Sequence, residues 1–81
     1  MKINIVAFGI AREILKSRTL LVELEPSSAT IAQLKQHLIN RYPELSTLRS
    51  LSFAVGEDYQ EDNYILNEGD EVVVIPPVSG G

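Results

Sequence analysis

Eighty-one residues with a mass of 9.0 kDa, no cysteine, one histidine and a formal charge of −4 allow one domain and exclude a disulfide scaffold, a cysteine zinc site and a thiol nucleophile. Apolar residues are 44% of the chain and charged residues 22%, which is globular composition, so a compact, well-patterned core must supply the stability that no staple adds. Residues 1–41 carry a net charge of +3 and residues 42–81 a net charge of −7, a balance that argues against nucleic acid and anionic lipid and suits a basic protein partner.

Residues 2–8 alternate as a strand, with Ile3, Ile5 and Ala7 on one face and Asn4, Val6 and Phe8 on the other. Gly9 breaks it, and residues 11–16 suit one or two helical turns. Residues 19–25 alternate again, Leu20, Val22 and Leu24 inward and Leu21, Glu23 and Glu25 outward, and Pro26, which lacks an N–H for the ladder, ends the strand. Thr30 with Gln33 three residues later marks a helix start, and Ile31, Leu34 and Leu38 form its apolar stripe. Tyr42-Pro43 stops it. Leu45 and Leu48 suit a short turn under the core.

Leu51, Phe53 and Val55 predict a third strand, and the polar segment 57–63 around Tyr59 a very short edge strand. Asn67-Glu68-Gly69-Asp70 is a turn, and the β-branched run 71–75 is the last strand, closed by Pro76-Pro77. A last strand that is apolar on both faces belongs mid-sheet, beside and parallel to the first. The expected fold is α+β, a mixed sheet of four to five strands with one main helix across one face, the β-grasp or ubiquitin-like arrangement. Residues 1–76 form the domain and residues 77–81 an extended Gly-Gly tail.

One long helix covers one face of such a sheet. The other face carries Val6, Phe8, Val73 and Ile75, with Tyr59 at its margin, and a contiguous apolar patch on a small domain marks a partner surface. Two alternatives would remove the patch: the short helix 11–16 or a loop folding over it, or a one-residue slip of register, which exchanges the faces.

The chain ends Pro76-Pro77-Val78-Ser79-Gly80-Gly81. The prolines set an extended stem, and Gly80 and Gly81 have no Cβ and fit a narrow tunnel. The reactive group of such a tail is the α-carboxylate of Gly81. A carboxylate resists nucleophiles until it becomes a mixed anhydride such as an acyl-adenylate, after which an amine, a thiol or sulfide can attack it.

The run Gly69-Asp70-Glu71-Val72, the ending Ile75 to Gly81, the segment Phe8-Gly9-Ile10-Ala11-Arg12-Glu13 and the total length together resemble the small, sulfur-carrier subunit of molybdopterin synthase, a ubiquitin-like family. The tail is the specific part of the resemblance, because the Pro-Pro-Val-Ser/Thr-Gly-Gly ending separates this family from related thiamine-pathway carriers, which also end in Gly-Gly. The resemblance implies that a ubiquitin-activating-type adenylyltransferase spends ATP to adenylate Gly81, that a sulfur donor protein converts the adenylate to a thiocarboxylate, and that the tail of Pro76, Pro77, Val78, Ser79 and Gly80 threads into the large synthase subunit. There the sulfur passes to cyclic pyranopterin monophosphate in a heterotetramer. The family's contact positions match Phe8, Tyr59 and Ile75, which lie on the same face as Val73. The chain then works as a non-catalytic donor subunit that binds no cofactor of its own. A carrier without cysteine must hold its sulfur at its end.

Three rivals stand beside this reading: a carrier for thiamine, cysteine or tRNA thiolation; a protein modifier joined to lysines through Gly81; and an interaction module with an idle tail. His37 has no histidine or cysteine companion for a metal and reads as an ordinary helical residue. Arg12 and Glu13 suit a surface ion pair, and Glu57, Asp58, Glu61 and Asp62 lack the regular spacing of a calcium loop. No phosphate-binding glycine motif is present, so ATP belongs to a partner. No apolar run reaches the ~20 residues of a membrane span, and Asn4 and Arg12 break any signal-peptide core, so the expected location is the cytoplasm.

Overall fold

The computed structural model describes residues 1–48 and 51–77. Five strands form one mixed sheet: β1 (Lys2–Ala7), β2 (Thr19–Glu23), β3 (Ser52–Val55), β4 (Asp58–Gln60) and β5 (Glu71–Ile75), in the spatial order β2-β1-β5-β3-β4. Strands β1 and β5 are parallel neighbours, and the other pairs are antiparallel. Two helices join them, α1 (Gly9–Leu15) and α2 (Ile31–Arg41), with 3-10 turns at Pro26–Ser28 and Pro43–Thr47. This is the expected β-grasp.

The alternation read along the chain holds in the packing. Ile3, Ile5, Ala7, Val22, Phe53, Val72 and Val74 line the inner face and pack with Ile31, Leu34 and Leu38 of α2. Leu45 of the Pro43–Thr47 turn is buried beneath them. Among the described residues the buried set contains no polar or charged side chain, so the core rests on apolar burial.

Several boundaries differ from the sequence reading. β1 ends at Ala7, and Phe8 becomes the residue that precedes α1. Helix α1 starts at Gly9, two residues early, because Gly9 adopts φ +55° and lets the chain turn at once. β2 ends at Glu23, yet Leu24 still pairs: its N–H donates to the Met1 carbonyl (2.8 Å) and the Met1 amino group donates to the Leu24 carbonyl (3.0 Å). Leu20 and Val55 are half-buried, because they lie towards the margins of the inner face. Leu51 precedes β3.

The polar segment 57–63 supplies the expected short edge strand at Asp58–Gln60, and the chain after it has a structural part that the polar pattern does not signal. An α-helix begins with N–H groups that have no partner inside it. At the start of α2 the Ile31 N–H donates to the Tyr64 carbonyl (3.0 Å), the Ala32 N–H to the Asp62 carbonyl (3.0 Å) and the Gln33 N–H to the Thr30 hydroxyl (3.2 Å). Leu66, fully buried, donates its N–H to the Ala29 carbonyl (2.7 Å) and anchors the segment in the core. Thr30→Ala removes one of these three caps and lowers stability by about 1 kcal/mol, measured as a shift of the urea midpoint with an unchanged slope.

The Asn67–Asp70 turn ties β5 to β1. The Asn67 N–H donates to the Asp70 carboxylate (2.8 Å), the Gly69 N–H to the Lys2 carbonyl (2.8 Å) and the Asn4 N–H to the Asp70 carbonyl (2.9 Å). These bonds set the parallel register of the two central strands, and therefore which β5 side chains face outward. Among the described residues no helix is long and apolar enough to cross a membrane.

Candidate functional site

Strand register places the outward residues in rows across the sheet. One row runs Thr19, Val6, Val73, Ala54, Tyr59, each paired with the next. The adjoining row towards the tail holds Ile75 opposite Ser52. Phe8 follows Ala7 with extended backbone (φ −129°, ψ 162°), so the alternation carries its ring outward beside Ile75. On the far side of the central row lie Leu21, Asn4 and Glu71.

Phe8 is 47% exposed and Tyr59 67%, and Val6, Val73 and Ile75 are half-buried although they lie mid-sheet. The four residues expected on the partner surface, Phe8, Tyr59, Val73 and Ile75, therefore share one face. Helix α1 does not cover it. Ala11 and Leu15 bury that helix in the same core as α2, and α1 rests against β1, β5 and the Pro43–Thr47 turn. The short helix therefore does not remove the patch, and the register does not slip. Ala54 is also on the outer face, buried between Val73 and Tyr59, where a small side chain leaves the larger neighbours room to meet.

The root of the tail sits at one end of this face. β5 runs from Ile75 into Pro76 and Pro77, both half-buried. A Cβ on Gly9 would lie 3.5 Å from Pro76 Cγ, so the Phe8-Gly9-Ile10 bend flanks the emerging chain. Ile10, the second residue of α1, is 42% exposed. Val78, Ser79, Gly80 and Gly81 lie outside the described residues.

One acidic residue, Glu71, shares the outer face. Glu57, Asp58, Glu61 and Asp62 stand exposed on and beside β4, with Asp58 opposite Val55 and so on the inner side of the sheet. Arg12 and Glu13 stand exposed on α1. His37 is half-buried on α2 and lines a polar groove of about 500 Å³ with Glu23, Glu25, Gln33 and Asn40. Among the described residues no group of three His, Asp or Glu is placed to hold a metal ion. The arrangement sets an outward apolar face beside the root of a proline-stiffened stem.

Comparison with known proteins adds ancestry to this geometry. The ThiS family model matches residues 5–81. The molybdopterin synthase sulfur carrier subunit of Arabidopsis thaliana is 33% identical over 100% of this chain and 84% of that protein. SAMP1 of Haloferax volcanii has the same fold, with a TM-score of 0.84 at 22% identity and complete coverage of both chains. A chain in the complex of subunits 1 and 2 of molybdopterin-converting factor from Helicobacter pylori superposes with a TM-score of 0.69 at 22% identity, again over the whole of both chains.

Proposed function

The chain belongs to the ThiS family, and we propose that within it the protein is the sulfur carrier subunit of molybdopterin synthase. The observation that carries this reading is the meeting of two features at one end of the sheet: an apolar face on which neither described helix lies and the root of the Pro-Pro stem, with Phe8 and Ile75 at their junction. The full-length similarity to a molybdopterin synthase sulfur carrier subunit supports it. The subunit pair in the Helicobacter pylori complex supports docking on a large partner subunit.

In this reading the Gly81 carboxylate attacks the α-phosphorus of ATP in a partner adenylyltransferase and pyrophosphate leaves. Sulfide supplied by a donor protein then attacks the acyl carbon of the adenylate, AMP departs, and loss of the remaining S–H proton leaves a thiocarboxylate at the terminus. The stem of Pro76, Pro77, Val78, Ser79 and Gly80 threads into the large subunit, and the sulfur passes to cyclic pyranopterin monophosphate. Phe8, Tyr59, Val73 and Ile75 provide the grip. ATP is bound by the activating partner, the chain itself holds no cofactor, and the assembly is a cytoplasmic heterotetramer of two small and two large subunits.

Co-purification with a candidate large subunit, followed by intact-mass analysis of the terminus, tests the proposal. The expected result is a stable complex whose small subunit carries one sulfur in place of one oxygen at Gly81. Covalent ladders on other proteins would indicate a modifier instead, and an unchanged mass with normal molybdopterin formation would refute the carrier role. Ile75→Asp places a charge at the junction without entering the core, and it weakens large-subunit binding about a hundredfold while the thermal melt stays within a few degrees of the parent. A collapse of the melt would show that Ile75 supports the fold rather than the complex.

A further inference from the structure

Strand β5, which carries the stem, is third of the five strands in the order β2-β1-β5-β3-β4, so the outer face extends equally far on either side of it. Neighbouring strands lie ~4.8 Å apart, which sets β2 and β4 each ~10 Å from β5. On the β4 side the face ends at Tyr59, 67% exposed. On the β2 side it ends at Leu21, 55% exposed, in the middle of Thr19-Leu20-Leu21-Val22-Glu23. Leu21 pairs with Asn4, and Asn4 with Glu71, so Leu21 lies on the same side of the sheet as Val6 and Val73, one row further from the stem. Leu20 and Val22 pack on the core, and Leu21 points away from it between two exposed polar residues, Thr19 and Glu23. A lone exposed leucine is ordinary. This one is the diagonal neighbour of Val6 across the β1–β2 pair, a spacing that long side chains bridge, and so it prolongs the apolar face to the β2 edge.

We propose that the large synthase subunit covers Leu21 together with Phe8, Tyr59, Val73 and Ile75, so that one docked partner spans the sheet from β2 to β4. The inference rests on the sulfur-carrier reading and adds a contact residue to its docking surface. Size carries it. A partner of ordinary interface size buries ~800 Å² on each side, a patch of radius ~16 Å when round. Val73, in the middle row of the middle strand, is the centre of the outer face. From Val73 the register puts Ile75 ~7 Å along the strand, Tyr59 ~10 Å across the sheet and Leu21 ~12 Å away on the diagonal. A footprint of that size that holds the stem root and Tyr59 therefore also holds Leu21. The stem selects the occupant. Pro76 and Pro77 leave the sheet at the end of this same face, so the partner that receives the tail rests on the face as well. A second copy of the chain would bring another stem and no receiver for this one.

Titration of the full chain, labelled at its leucine and isoleucine methyl groups, with a candidate large subunit tests the proposal. The expected result is that the Leu21 methyl resonances shift as the complex forms, while those of Ile65, an equally exposed apolar residue bridged to Thr30 beside the start of α2, stay in place. Leu21→Asp raises the dissociation constant about tenfold, and Ile65→Asp leaves it at the parent value. Leu21 lies outside the core, so the melt of Leu21→Asp stays within a few degrees of the parent. Should that variant fail to fold, Leu21→Ala, expected to weaken binding about threefold, and the methyl shifts of the parent chain decide the matter. The parent chain and Ile75→Asp separate the two levels of the argument. A parent chain that does not bind the large subunit overturns the sulfur-carrier reading and this inference with it. Binding that Ile75→Asp breaks, with Leu21→Asp at full affinity and the Leu21 methyls unmoved, leaves that reading standing and overturns the inference alone. Equal losses from Leu21→Asp and Ile65→Asp overturn it too, because the effect would then not belong to the outer face.

Discussion

A chain shortened by Gly81 alone melts at the same temperature as the full protein and brings molybdopterin formation to background. Both halves of this result follow from position. Gly81 lies six residues beyond the end of β5, and the core is complete without it, from Ile3 on β1 to Val74 on β5. The proposed chemistry, by contrast, depends on one carboxylate, and Gly80 presents its own carboxylate one residue short. A stem held between a fixed docking face and a fixed reaction centre has no slack to make up the ~3.3 Å that one extended residue spans. Adding a residue after Gly81 has the same outcome for a different reason, because the required carboxylate becomes an amide. The comparison to make is molybdopterin yield in a reconstituted reaction against circular-dichroism melts of the same preparations. Undiminished yield from the shortened chain rejects the proposed role of Gly81.

The second large effect concerns the fold. Leu34→Ala lowers stability by about 2–5 kcal/mol. Leu34 is fully buried on the inward stripe of α2, with Ile31 one turn before it and Leu38 one turn after, and all three rest on the inner face of the sheet. Truncation leaves a cavity between helix and sheet that a rigid β-grasp closes only in part. A domain of this length holds about 4–12 kcal/mol in total, so one methyl-rich side chain accounts for a large share of it. Each kcal/mol shifts the melting temperature of so small a domain by about 4–8 °C, and the melt should fall by about 10–30 °C. Ile65→Ala is the matched control. Ile65 is 69% exposed, and its truncation stays within about 0.5 kcal/mol. Equal effects from the two variants would mean that helix α2 contributes little to the core.

The two predictions separate grip from handle. Variants of the inner face act through stability and reduce every activity together. On the proposed function, variants of Phe8, Tyr59 and Ile75 are expected to act on complex formation, and a change at Gly81 on chemistry alone. Thr30→Ala lies between these cases. It weakens the start of α2 while the carbonyls of Asp62 and Tyr64 still hold the first two N–H groups of the helix.

Much of this architecture was legible residue by residue. The period-two alternation of Ile3, Ile5 and Ala7, the helical spacing of Ile31, Leu34 and Leu38, and the apolar run 71–75 each assign an element and an inward face. These signals are local: side-chain direction in a strand or helix follows from the backbone geometry of the residue itself. The Gly-Gly ending and its Pro-Pro stem were likewise readable, because their chemistry depends on what they lack: a Cβ, a donor and a rotamer. Segment boundaries were less exact. Whether Gly9 begins a helix or merely ends a strand turns on a positive φ that glycine permits but does not require.

The amino-acid order by itself determined which residues can face a core, where the chain must turn and what chemistry its last residues could support. Only the tertiary structure decided that α1 enters the same core as α2, against β1, β5 and the Pro43–Thr47 turn, so that neither described helix lies on the Val6, Val73 and Ile75 face, that the carbonyls of Asp62 and Tyr64 cap a helix thirty residues away, and that among the described residues β2 has one partner strand. The reason is physical. Periodicity says which side of an element is apolar, but coverage of a face is set by where separate elements meet. Every residue but proline offers the same N–H and C=O, so main-chain pairing leaves no mark in the identity of the side chains that carry it.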